Sequence, residues 1–394
     1  MSRSLLTPAR LIMAVFFMQA IVVGSLYPRF PDIKERLAVG PGELWLGFQG
    51  MPVGALAALL ASGALIERLT PRWTILFAFI LYCLTAMLPG FAFDVASLFV
   101  GLFAVGLVYP LIDVAMNVEA NRIERTGGRR IMSTCHGFWS IGQMIGTGIG
   151  VAFAWMGVDV RWQMVVVGLA ALPFALIVPR LPEVRPADDE REAGRGITLP
   201  TVAMLGVCFF AFGMIAVEMV NRQWTAIFLH DVFGRSTAVA GLGPFAFAAA
   251  MACGRFFGDR LTTRLGPVQL ARFCTALAGA GIAIFAGAVN LPIAIAGLCT
   301  AGLGVSLAFP LAITAVANRT DRRAPANVGA FQLFSSVSAL LIPPLIGEVG
   351  QAGGLRLGIA MVIPLLVVSL LLTGELGRSG SGSSHPAAVA RAGR

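Results

Sequence analysis

The chain has 394 residues, 57% of them hydrophobic and only 12% charged, with a formal net charge of +9. A soluble domain carries about 25% charged residues, so this composition excludes an ordinary soluble protein. The excess positive charge is not a nucleic-acid signal, because of where it lies: most of the 29 Lys and Arg sit between apolar runs on one side.

Twelve apolar runs follow one another, each of a length that crosses a bilayer as a helix. They are Leu11–Tyr27, Leu44–Ile66, Trp73–Phe93, Ala96–Ala120, Ile131–Met156, Trp162–Val178, Thr201–Leu229, Thr237–Phe257, Val268–Ala288, Leu291–Ala317, Val328–Ile346 and Leu357–Leu372. Bilayer interiors offer no water to backbone groups, so helices are the expected form. The N-terminal arginines and first run look like a signal peptide. No small-residue cleavage site precedes a soluble mature chain, and eleven more runs follow, so the first run is read as a retained helix.

With the N-terminus inside, 21 of the 29 basic residues fall in or beside cytoplasmic segments, six fall outside, and Arg222 and Arg255 lie within apolar runs. That asymmetry predicts both termini in the cytoplasm. The expected division is an N-terminal six-helix bundle at 1–179, a polar cytoplasmic linker at 180–199, a C-terminal six-helix bundle at 200–376 and a disordered Gly/Ser-rich tail at 377–394. Short loops leave no room for a soluble catalytic domain. Six cysteines stand singly, without metal-site spacing, so neither a disulfide nor a metal is expected, and no cofactor is implied.

Ionisable groups inside membrane helices are costly and mark candidate sites. In the fourth run, Tyr109, Asp113 and Asn117 are spaced i, i+4, i+8 as one polar stripe. Asp113 lies about seven residues, or ~10 Å, from the inner end. It is a candidate to accept a proton or a solute hydroxyl or amine; the alternative is a structural hydrogen bond. In the fifth run, His136, Trp139 and Gln143 form a second stripe, suited to proton coupling and to a sugar or cation, or else to helix capping. In the seventh run, Glu218, Asn221, Arg222 and Thr225 share a face. Glu218 and Arg222 have the i, i+4 order of an ion pair, which either neutralises itself or is broken by solute. Trp224 is expected in the interfacial belt. Gln19 and Gln332 are neutral candidates for cavity lining or for helix–helix hydrogen bonds.

One phrase occurs twice. Ser62–Thr70 ends in Glu67-Arg68-Leu69-Thr70, and Gly254–Thr262, 192 positions later, ends in Asp259-Arg260-Leu261-Thr262. Tyr109-Pro110-Leu111 is answered by Phe309-Pro310-Leu311, and Asn121-Arg122 by Asn318-Arg319. A repeat at about half the chain length implies a duplicated multi-helix unit.

These features resemble the major facilitator superfamily, over the whole chain apart from the tail. The likeness is nearer to the MosC-like branch of bacterial inner-membrane permeases. Arg29-Phe30-Pro31-Asp32-Ile33-Lys34, Asp113-Val114-Ala115-Met116-Asn117, His136-Gly137-Phe138-Trp139-Ser140 and Glu218 with Trp224 carry it. The resemblance implies an all-α membrane protein of twelve transmembrane helices in two pseudo-symmetric six-helix halves, working as a transporter. It also implies a cytoplasmic gating set of Glu67, Arg68, Arg255, Asp259 and Arg260. Three departures stand out: Glu67 replaces the usual Asp, Thr70-Pro71 stands where Gly is common, and Gln223 replaces an acid before the tryptophan. The Gly-Pro pair typical of the fifth helix in drug antiporters is also missing.

The expected function is secondary active transport of a small polar solute (a sugar, polyol or amino-sugar-like compound) by alternating access. Protons are the expected coupling ion and the protein is expected to be a monomer in the bacterial inner membrane. The alternatives are proton-antiport efflux of a drug or metabolite, a membrane enzyme, or a non-transporting sensor. No P-loop, H-E-x-x-H or G-x-S-x-G occurs, which weighs against ATP drive and against catalysis.

Overall fold

The computed structural model describes residues 7–58, 70–127, 131–181, 199–322 and 324–377. Glu67 and Arg68, most of the expected linker and nearly all of the tail lie outside them. The described residues form helices and short connections, with no β-strand among them. In chain order the helices are α1 Pro8–Gly24, α2 Phe30–Leu37, α3 Pro41–Phe48 (helical again over 50–58), α4 Pro71–Thr85, α5 Val95–Gly127, α6 Met132–Trp155 and α7 Val160–Ala171. They continue with α8 Val202–Met219, α9 Thr225–Phe233, α10 Thr237–Ala240, α11 Leu242–Leu265, α12 Pro267–Gly287, α13 Leu291–Val305, α14 Ala308–Ala317, α15 Ala324–Gly353, α16 Leu355–Ala360 and α17 Val362–Leu371.

Ten stretches of described helix are long and apolar enough to span a bilayer. The places of the second and fifth predicted runs are taken by the helical segment through residue 58, where the described residues stop, and by the 24-residue α6.

Local chemistry sets many of the helix starts. Asp94 and Ser97 cap each other at the head of α5: the Ser97 amide donates to Asp94 Oδ1 at 2.7 Å and the Asp94 amide to Ser97 Oγ at 3.0 Å. Asn290 Oδ1 accepts from the Ile293 amide at 3.0 Å to start α13. Thr70-Pro71, a departure from the family pattern, begins α4: Thr70 is extended and Pro71 takes the first helical position. A proline there loses no hydrogen bond.

The bundle is apolar outside, and its largely apolar interior also holds a set of polar side chains. Phe93 (78% exposed), Leu176 and Leu371 face outward, whereas Gln19, Gln143, Thr147, Gln163 and Asn221 are buried. In lipid, close backbone approach rather than an oil–water contrast drives helix association. Gly142, Gly146 and Gly150 of α6 supply that approach: a Cβ at Gly146 would sit 2.3 Å from the Ile21 carbonyl oxygen of α1.

The doubled Asn-Arg pairs each bury an arginine against a glutamate, but by different routes, one within its own helix and one across the fold. Arg122 meets Glu119 at 3.2 Å, and Arg319 donates to the Glu375 carbonyl at 3.0 Å and faces its carboxylate at 3.5 Å. Both arginines are buried, which requires such partners. The second copy of the acid-Arg-Leu-Thr phrase lies beyond the eighth predicted run, which ends at Phe257, yet it does not form a loop. It is helical, because α11 runs to Leu265 and stops only at Gly266, whose positive φ of 75° precedes Pro267.

Candidate solute site and bundle closure

The central site is built where α1, α5 and α6 meet the broken helix α8–α9. Between α8 and α9, residues Val220–Trp224 form one π turn. Such a turn inserts a residue into the helical ladder and re-aims the side chains around it. Thr225 Oγ1 donates to the Val220 carbonyl at 3.3 Å, five residues back. Glu218 and Arg222 keep their ion pair across the insertion, with Oε2 and Nη2 2.9 Å apart, and both side chains stay partly accessible. Asn221 and Thr225 are buried instead, so the single face expected for these four residues is split. No π insertion is legible in local propensity.

Arg222 places its guanidinium 5.9 Å from the ring centre of Trp139, which lies in α6. The first and second parts of the chain thus meet through a cation–π contact. Trp139 Nε1 donates to Gln19 Oε1 at 3.0 Å, and Tyr82 Oη donates to the Gln19 carbonyl at 3.0 Å. Tyr82 and Tyr109 stand edge to face at 6.0 Å. Tyr109 lies within electrostatic reach of both Asp113 and Arg222. Asp113 is half-buried and makes no ion pair among the described residues. Asn117 does not extend the stripe toward it; its amide donates to the Asp113 main-chain carbonyl at 2.8 Å.

Buried amide atoms are left without a partner in this region: Gln19 Nε2, Gln143 Oε1, Asn221 Oδ1 and, in the same π turn, Gln223 Oε1. Buried polar atoms normally find partners, so these mark positions where a ligand or water completes the network. Gln332 in α15 is half-buried, and its main-chain carbonyl accepts from Ser336. His136 presents its ring edge-on to Phe16, centroids 5.3 Å apart. Trp224 is fully buried and packs against Phe48 of α3 at 5.9 Å. This corrects the expectation of a belt residue, because the π turn swings its indole inward.

Of the expected gating residues, Arg255 points into the bundle. Its Nη1 donates to Ser140 Oγ of α6 and its Nε to the Ser306 carbonyl at 3.2 Å, where the helix breaks between α13 and α14. Arg260 is exposed. Asp259 lies on α11, and its side chain is outside the description.

A second cluster, missed by sequence reasoning, closes one end of the bundle. Lys34 Nζ lies 2.7 Å from Asp231 Oδ2, and His230 Nε2 lies 3.0 Å from Glu35 Oε1. Thr237 Oγ1 donates to Asp32. Trp45 Nε1 donates to Glu348 Oε1 at 2.7 Å, and the Gly42 amide to Gln351 Oε1 at 3.2 Å. All five ties join residues from the two parts of the chain. Arg29 positions the segment. It is 3% exposed, bonded to Asp32 and Gln163, and it donates to the Val158 carbonyl at 2.7 Å. The signal was present in Arg29–Lys34, a run quoted only for its resemblance.

Beside the ties lies a cleft of about 690 Å³, lined by Arg29, Asp32, Glu35, Arg36, Asp159 and Thr237 among others. Asp159 there is held down to about 2, chiefly by hydrogen bonds from Arg161, with Arg36 adding its charge.

The family model of the Major Facilitator Superfamily matches residues 12–343 and, again, 204–389. An uncharacterized MFS-type transporter of Yersinia pestis is 28% identical over 89% of this chain and 91% of its own length. An uncharacterized transporter of Sinorhizobium fredii is 29% identical over 90% of this chain and 94% of its own. The membrane protein MosC of Rhizobium meliloti is 23% identical over 94% of this chain and 90% of its own. Among solved structures, an inward-facing, unoccupied bacterial homologue of the lysosomal transporter Spinster superposes with a TM-score of 0.73 at 14% identity, over 94% of this chain and 97% of that one. The nucleoside transporter NupG gives 0.70 at 13% identity, over 94% and 98%.

Proposed function

This chain belongs to the major facilitator superfamily and is a multi-pass membrane transporter rather than an enzyme, and we propose that it moves a small polar solute by alternating access, coupled to protons. The solute is of the sugar, polyol or amino-sugar kind. The observation that carries this reading is the contact of Trp139 with Arg222. It is a polar, aromatic meeting point between the two parts of the chain, inside a bundle whose outer surface is apolar. Side chains of that mixture fit hydroxyl-bearing solutes, with rings stacking on the indole and hydroxyls completing the amides.

The two halves, 1–179 and 200–376, rock about this point. The linker at 180–199 and the positive loops face the cytoplasm of the bacterial inner membrane. In that orientation the five-tie end faces outward, so the solute path is shut on the outside. Asp113 carries the proton, since a carboxyl without an ion partner deep in a helix bundle changes charge at least cost to its surroundings. Glu218 and Arg222 open to admit solute. Glu67, Arg68, Asp259 and Arg260 gate the inner end, and the protein acts as a monomer.

The test is flux in proteoliposomes of purified full-length protein loaded with a pH-sensitive dye. Solute gradients should drive internal pH changes, and an imposed proton gradient should drive solute uphill. Solute exchange with no proton movement would remove the coupling. Chemical conversion of solute without exchange would remove transport.

A further inference from the structure

We propose that the transported solute carries one negative charge, a carboxylate on a hydroxylated skeleton, and that Arg222 and Arg255 receive it. This deepens the proposed function and rests on its placing of the solute at the centre and the proton on Asp113.

The argument is a count of charges. Two carboxyl and two guanidinium groups face the centre among the described residues: Asp113, Glu218, Arg222 and Arg255. Arg255 lies within electrostatic reach of both Glu218 and Arg222. Glu218 is committed to Arg222 at 2.9 Å. Arg255 makes no ion pair among the described residues; its donors rest on neutral oxygens, Ser140 Oγ and the Ser306 carbonyl. With Asp113 ionised the four sum to zero. When Asp113 takes up its proton the sum becomes +1.

An uncompensated charge in a low-dielectric interior is expensive. Proton loading therefore creates a demand for an anion that a neutral sugar cannot meet. His136 can only add positive charge, so it leaves the sign unchanged. The guanidinium groups suit a carboxylate, which each can bind through two parallel N–H donors. The unpartnered amides of Gln19, Gln143 and Asn221 and the Trp139 ring suit the hydroxylated remainder. Each ligand then enters with one proton, and the loaded centre is neutral.

The experiment uses the purified full-length protein and matched probes: galacturonate with galactose, glucuronate with glucose, and gluconate with sorbitol. Thermal shift and calorimetry at pH 6 read binding, and the dependence of heat on buffer ionisation reads proton uptake. The acids alone should raise the melting temperature, taking up about one proton per ligand bound. Arg255→Gln should weaken acid binding by about tenfold or more, the scale of a lost charge-assisted contact. Arg255→Lys, which keeps the charge, should retain part of it. Asp113→Asn should bind the acid without proton uptake.

Equal stabilisation by the neutral partners would overturn the inference while leaving transport standing. Acid binding undiminished in both Arg255→Gln and Arg222→Gln would do the same. Silence from acids and neutral partners alike, in binding and in flux, would count against the central solute site itself and against the inference with it.

Discussion

At the closed end, Lys34 has Asp231, His230 has Glu35, and Asp32 has Thr237. At the centre, Gln19 Nε2, Gln143 Oε1 and Asn221 Oδ1 are left without partners, and Asp113 and Arg255 make no ion pair among the described residues. The end is mixed: Glu35 is 60% exposed, whereas the Lys34 and Asp231 side chains are only 17% and 23% exposed. The exposed Glu35 pair is worth under about 1 kcal/mol and breaks at small cost; the half-buried Lys34–Asp231 pair is worth about 1 kcal/mol. The centre is dry, and each unmet polar group there is costly. A molecule that keeps unmet polar groups at its centre and mutually satisfied ones at its end is arranged to bind at the centre and to open and close at the end.

The sharpest way to break this comparison is Asp113→Asn. Uphill solute accumulation in proteoliposomes should fall to the background of empty vesicles, while the protein remains folded and monodisperse. Retained accumulation would move the proton elsewhere. Next in size is Glu218→Gln, which leaves Arg222 without its carboxylate. Both groups are partly accessible, so the full cost of a broken buried pair is discounted to about 1–2 kcal/mol. A lowered melting temperature that solute partly restores is expected.

Lys34→Met tests the closed end. The pair is half-buried, so its cost should be about 1 kcal/mol, with a small fall in melting temperature. Its larger effect should fall on accessibility, as faster labelling from outside of a cysteine placed at Ser236, which lines the cleft beside the ties. No change in labelling would remove Lys34 from the closure. The smallest effect concerns Asp159. Its carboxyl is held at about 2, below the ~3.9 of an unfolded chain. Its contribution is therefore present above about pH 4 and lost as pH falls toward 2. The stability gap between the protein and Asp159→Asn should narrow over that window, as read by melting temperature against pH.

Much of the architecture was legible beforehand. Apolar runs located the helices, and prolines and capping residues their starts; the doubled Asn-Arg pairs marked two buried arginines with different partners. The candidate polar residues were legible as types: Asp113, Trp139, Glu218 and Arg222 do gather toward one region. Their mutual arrangement was not. The π turn at Val220–Trp224 separates Asn221 from Arg222 and buries Trp224, and no local preference announces an inserted residue. The outer ties were hidden for another reason. Lys34 and Asp231, or Trp45 and Glu348, are about 200 to 300 positions apart, and nothing in either segment names its partner.

Composition and run length by themselves determined a helical protein of many membrane spans, because a bilayer admits helices of about 20 apolar residues and little else. Tertiary structure alone decided which faces turn inward. Lipid and helix neighbours are equally apolar, so the hydrophobic pattern that orients a soluble helix carries little information here. Close glycine approaches and a few long-range polar contacts make that choice, and with it they set the chemistry offered to the solute.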